Sequence, residues 1–263
     1  MLRIHSFTAL LAGAATAVLA FGAAAESLKI GVTPGPHAQI LEAVKPLAAK
    51  DGLDLQVLEF SDYVIPNQAL SQGDLDVNSF QHQPYLDNQA KDRGYAIVSV
   101  AKTVVFPIGI YSKTVKALDA LPNGAKVAIP NDPTNGGRVL LLLQAKGLIK
   151  LKDGGTLKAS PIDIVDNPKK LQIVELDAAQ LPRSLDDVAA AAINTNYAIE
   201  AGLDPVKDAI AREAAESPYA NVIAVRKADQ DKPWVAKLVK AYQSPEVKEF
   251  ILTKFKSAVV PAW

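Results

Sequence analysis

Residues 129–143 of this 263-residue chain run Ile-Pro-Asn-Asp-Pro-Thr-Asn-Gly-Gly-Arg-Val-Leu-Leu-Leu-Leu, a strand-like end, a turn full of helix-capping residues and an apolar helix. Thr134 or Asn135 is the expected N-cap. Arg138 then falls in the first helical turn, where free backbone N–H groups and the positive end of the helix dipole attract an anion. A cation there opposes the dipole, so the arginine asks for a role outside the helix. A guanidinium can take a carboxylate through two parallel hydrogen bonds. A solvated surface arginine fits the same spacing equally well.

A second cluster is Asn78-Ser79-Phe80-Gln81-His82-Gln83-Pro84-Tyr85. If this stretch is extended, Phe80 and His82 face one side together. With Tyr85, and Tyr63 from Phe60-Ser61-Asp62-Tyr63, they would make an apolar wall with one polar edge. Such a wall suits a thioether, which is polarizable and favours aromatic rings. Core packing explains Phe80 and Tyr85 as readily. Asn78, Asn194, Asn196 and Asn221 sit at or beside strand termini, and Asn135 in the turn before the helix. An amide can accept from an ammonium and donate to a carboxylate, which suits a zwitterion, although asparagine is also common in turns.

Other chemistry finds little support. Basic and acidic residues balance at 28 each, so nothing favours nucleic acid as a partner. Cysteine is absent and only three histidines occur, which argues against a metal site. The common hydrolase, nucleotide and dinucleotide motifs are missing. An enzyme using His82 as base would need a second titratable group that the sequence does not offer. No cofactor is expected, and the reading is a binding protein rather than an enzyme.

Positioning such residues takes a particular scaffold. Strands are expected over 28–32, 53–60, up to 78, 96–105, 108–111, 126–130, 172–176, 190–194 and 221–226. Helices are expected over 38–50, 66–72, 85–93, 137–146, 232–242 and 245–256, and 150–170 reads as a surface loop. Strands alternating with helices imply an α/β fold with parallel sheets. Glu59, Pro66 and Asn78 are echoed by Glu175, Pro182 and Asn194 at the same spacings. Two similar α/β lobes would each present an asparagine at a strand's carboxyl end, where open α/β sheets bind ligands. Lobes facing across a cleft can close on a small molecule, giving the enclosure that micromolar capture, about −8 kcal/mol, demands.

Arg3, the apolar run 7–21 and Ala23-Ala24-Ala25 read as a cleavable signal peptide over 1–25. The apolar run is shorter than the roughly 20 residues a membrane span needs.

Taken together, Phe60-Ser61-Asp62-Tyr63, Asn78-Ser79-Phe80-Gln81-His82, Pro130-Asn131-Asp132-Pro133-Thr134-Asn135, Ile193-Asn194-Thr195-Asn196-Tyr197-Ala198 and Ser217-Pro218-Tyr219-Ala220-Asn221 resemble the NlpA-type methionine-binding proteins. Those are the periplasmic components of methionine ABC importers. The resemblance implies a two-lobed periplasmic binding protein fold, type II-like, with lobes at 26–105 plus 222–263 and at 106–221. The chain would cross between them near 104–107 and 221–226. It implies methionine in the cleft, with L-methionine favoured; another amino acid, a methionine derivative or a small sulfur-containing solute is the alternative. Tyr63, Phe80, His82 and Tyr85 would wall the thioether, and Arg138 would pair with the carboxylate. Asn194 and Asn221 would hold the ammonium and carboxylate, with Asn78, Asn135 and Asn196 as further candidates. Partners would be the importer's permease and ATPase subunits. Many family members carry a lipid-anchoring cysteine and this sequence has none, so a freely diffusing periplasmic monomer is expected.

Overall fold

The computed structural model describes residues 25–263. Apart from Ala25, the expected signal peptide lies outside the described residues. The first strands and helices alternate: β1 (Glu26–Val32), α1 (Pro36–Lys50), β2 (Leu53–Glu59), α2 (Ile65–Gln72), β3 (Val77–Asn78), α3 (Gln83–Arg93) and β4 (Ile97–Val105). There follow β5 (Gly109–Tyr111), β6 (Lys126–Pro130), α4 (Pro133–Ala145), β7 (Lys150–Leu151) and β8 (Ile164–Asp166). Next come β9 (Gln172–Leu176), α5 (Leu181–Ser184), β10 (Ala190–Ile193), α6 (Thr195–Glu200) and β11 (Ala209–Arg212). The chain closes with β12 (Ala220–Arg226), α7 (Pro233–Tyr242), α8 (Pro245–Phe255) and β13 (Val260–Pro261).

These strands form two separate large sheets, in the orders β13-β4-β12-β3-β1-β2 and β11-β5-β10-β6-β9. Each has a parallel trio, β2-β1-β3 and β9-β6-β10, flanked by antiparallel strands. The echo in the sequence is therefore topological. In both halves a strand crosses to an edge, returns by a short helix, and ends beside the first strand at Asn78 or Asn194. The architecture is the two-lobed α/β fold of periplasmic binding proteins. The chain passes between the sheets at 106–108 and 213–219, the second passage lying ahead of the expected 221–226. Those residues belong to β12, and Ala220 already pairs with Val105.

Apolar spacing explains the cores. Ile40, Leu41 and Val44 of α1 meet Trp234, Leu238 and Ile251 over the first sheet. Val139, Leu140 and Leu143 of α4 cover Ile108, Ile110, Val127 and Ile129 of the second.

Two expectations need correction. Helix α4 starts at Pro133, four residues before the expected 137, because Asp132 is its cap. The Asp132 carboxylate accepts from the backbone N–H of Thr134 at 3.1 Å and Asn135 at 2.9 Å, and proline suits the first helical position. Arg138 thus stands in the second turn, and the argument from the dipole does not apply to it. The stretch 150–170 is not a bare loop: β7 and β8 pair antiparallel, and Leu151 and Ala159 are buried. Gly137 lets this stretch close on α4, since a Cβ there would stand 2.6 Å from the Leu157 carbonyl oxygen. Among the described residues no helix is long and apolar enough to cross a membrane.

Candidate ligand-binding site

Between the two sheets lies a narrow cavity of about 20 Å³, lined by His37, Tyr63, Phe80, Gln81, His82, Tyr85, Phe106, Asn135, Arg138, Asn194, Asn196 and Asn221. Its aromatic end comes from the first lobe. Tyr63 leaves the β2–α2 turn, and its ring centre stands 6.0 Å from Phe80 and 6.1 Å from Tyr85. Phe80 and Tyr85 meet edge to face at 6.2 Å. Tyr197 of the second lobe adds a ring 5.0 Å from Tyr63.

The polar end comes mainly from the second lobe. Arg138 is only 3% exposed, and its guanidinium has a partner that the sequence did not reveal. Glu213, from the second crossing, accepts from Nε at 3.1 and 3.2 Å and from Nη2. Nη2 also donates to the Phe106 carbonyl at 2.8 Å, and the Tyr219 ring lies 4.3 Å beneath the guanidinium carbon. Nε and Nη2 are thus committed to the protein, which leaves Nη1 as the edge able to meet a ligand.

Hydrogen bonds span the cleft beside the cavity. The Tyr63 hydroxyl donates to Asn196 Oδ1 at 2.6 Å, the Tyr197 hydroxyl to the Ser61 carbonyl at 3.0 Å, and His82 Nε2 meets Asn135 Oδ1 at 3.1 Å. The lobes are closed on each other.

His82 does more than wall the cavity. As cap of α3, its Nδ1 accepts the Tyr85 backbone N–H at 3.1 Å, so Nε2 carries the proton and donates to Asn135. Burial, then the Arg138 charge, pushes its pKa down to about 3. His37 is held down at about 4, chiefly by burial, and bridges Thr33 Oγ1 at 2.7 Å to Asn221 Oδ1 at 3.3 Å. The Thr33 hydroxyl can donate to Nδ1 while Nε2–H donates to Asn221 Oδ1, which leaves the Asn221 amide N–H₂ outside that bond. Burial raises the phenol of Tyr63 well above its usual range. Two neutral, hydrogen-bonded imidazoles and un-ionised phenols equip the site for binding and offer no free general base.

Nine of the ten residues singled out in the sequence lie on this wall; Asn78 does not. Its amide donates to Asn67 Oδ1 at 2.9 Å and the Pro66 carbonyl at 3.3 Å, and its oxygen accepts from Gln81 at 3.0 Å. It ties α2 to β3 behind the wall. His37, Gln81, Phe106 and Glu213 went unread. Of these only His37 carried a signal, as a histidine in the breaker-rich turn after the first strand.

The family model for NlpA lipoprotein matches residues 28–263. The chain belongs to the NlpA lipoprotein family. It is 55% identical over 239 residues to the D-methionine-binding lipoprotein MetQ of Salmonella typhi, covering 90% of this chain and 88% of that one. A nutrient binding protein from Burkholderia cenocepacia, solved bound to methionine, is 60% identical with a TM-score of 0.88, covering 90% of this chain and all of the other. A periplasmic substrate-binding protein of an ABC transporter from Coxiella burnetii is 51% identical with a TM-score of 0.86, covering 89% and 100%.

Proposed function

We propose that this protein is an exported substrate-binding protein that encloses methionine between its lobes and delivers it to an ABC importer. The observation that carries the reading is a pocket between the sheets with aromatic rings at one end and zwitterion-complementary groups at the other. Tyr63, Phe80 and Tyr85 would hold the thioether chain. Arg138 Nη1 and the Asn221 amide N–H₂ would take the carboxylate, and Asn194 the ammonium. The lobes would be 26–105 with 220–263, and 109–212, joined at 106–108 and 213–219. Relatives named for methionine binding, at more than half identity over nine-tenths of the chain, support the same ligand.

The Salmonella typhi relative is called a lipoprotein, yet these 263 residues contain no cysteine to carry a lipid thioether. We read the protein as a periplasmic binder that reaches its importer by diffusion. Osmotic shock should release it into the soluble fraction; retention with the membranes would refute that part.

The ligand is tested by calorimetry on protein unfolded and refolded to strip endogenous solute. Both methionine enantiomers should be titrated, because the curated relatives are named for the D form and the sequence reading favours the L form. Micromolar or tighter binding, about −8 kcal/mol, is expected for at least one. Silence with both, and binding of an unrelated solute instead, would overturn the assignment.

A further inference from the structure

The chain Asp132–Asn135–Asn194 fixes which atom of Asn194 faces the cavity. Asp132 belongs to the turn before α4, and its ionised carboxylate can only accept hydrogen bonds. Asn135 therefore presents its amide N–H₂ to Asp132 Oδ2, at 2.8 Å. That turns Asn135 Oδ1 the other way, where it accepts from Asn194 Nδ2 at 3.0 Å and from His82 Nε2 at 3.1 Å. His82 is a second lock of the same sense, since its Nδ1 is already occupied by a backbone N–H. With Asn194 Nδ2 committed, Asn194 Oδ1 is left buried in the cavity wall with no partner among the described residues. A buried acceptor without a donor is costly, and here it belongs to a residue that lines the same cavity as Arg138.

We propose that Asp132 and Asn135 are positioning residues that set the polarity of Asn194, so that the cavity demands a protonated amine beside the ligand's carboxylate. The inference rests on the methionine reading and narrows it to α-ammonium carboxylates. The corresponding 2-oxo acid, with an acceptor where the amine should be, is rejected because two oxygens would face each other.

Asp132→Asn tests this with little change of shape. Asparagine caps a helix as well as aspartate does, but it places an N–H₂ where Oδ2 stood. Asn135 must then invert or lose its bond, and Asn194 with it. Calorimetry with methionine and with 4-methylthio-2-oxobutanoate gives the readout for wild type, Asp132→Asn and Asn135→Ala. Wild type should prefer methionine by about a hundredfold or more, and both variants should bring that preference within about tenfold. Asn135→Ala leaves the Asp132 cap intact and carries the comparison alone if Asp132→Asn does not fold. Wild type binding both ligands alike, or variants keeping the wild-type preference, would overturn the inference. Wild type binding neither would instead overturn the methionine reading itself.

Discussion

The two ends of the cavity recognise by different physics. At the first-lobe end, Tyr63, Phe80 and Tyr85 present rings whose grip is roughly proportional to apolar area and indifferent to small rotations. At the second-lobe end, each polar atom is turned by a neighbour: Arg138 by Glu213 and Phe106, Asn135 by Asp132, Asn194 by Asn135. A forgiving surface can hold a flexible chain, whereas a zwitterion needs donors and acceptors fixed before it arrives.

The sharpest way to break this contrast is Arg138→Ala. Removing the guanidinium strips the carboxylate partner and strands Glu213, so methionine binding should weaken by about 2–5 kcal/mol; near wild-type affinity in calorimetry would end the carboxylate assignment. Acid should come next. His37 and His82 are neutral in the fold at pKa values of about 4 and 3, against about 6.5 in an unfolded chain. Below pH 6.5 the unfolded chain gains protons that the folded one refuses, so stability falls as pH drops from about 6.5 toward 4. Thermal melts read at pH 8, 6 and 5 should decline in that order, and His37→Gln should flatten part of the slope. An unchanged slope would mean that His37 is not buried neutral. The smallest effect should be that of Tyr63→Phe, which keeps the ring and deletes one cleft-spanning hydrogen bond. About 0.5–1.5 kcal/mol of affinity should go, with the order of preference among amino acids unchanged. A reshuffled preference would mean that the aromatic end also reads orientation.

Much of the scaffold was legible because its periodicities are strong. Lys126–Pro130 and Gln172–Leu176 occupy the expected bounds, and the Glu–Pro–Asn echo marks equivalent crossings in the two sheets. Short elements were not legible. The helix Thr195–Glu200 and the strand Ala209–Arg212 are too brief to establish a period, and β7 and β8 sit in a polar, Gly-rich stretch. In the site, the aromatic cluster was visible because Phe80, His82 and Tyr85 are neighbours in sequence. Glu213 was not: 75 residues separate it from Arg138, and only the hinge brings them together. Asn78 misled because a strand-end asparagine can equally well staple two elements behind the wall.

The paired strands β4 and β12 carry both connections out of the first lobe, and Ala220 opposite Val105 sets the two exits side by side. Two adjacent pivots would confine any opening of the lobes to a swing about one line, as a book turns on its spine. On such a swing the bonds Tyr63–Asn196, Tyr197–Ser61 and His82–Asn135 would part together.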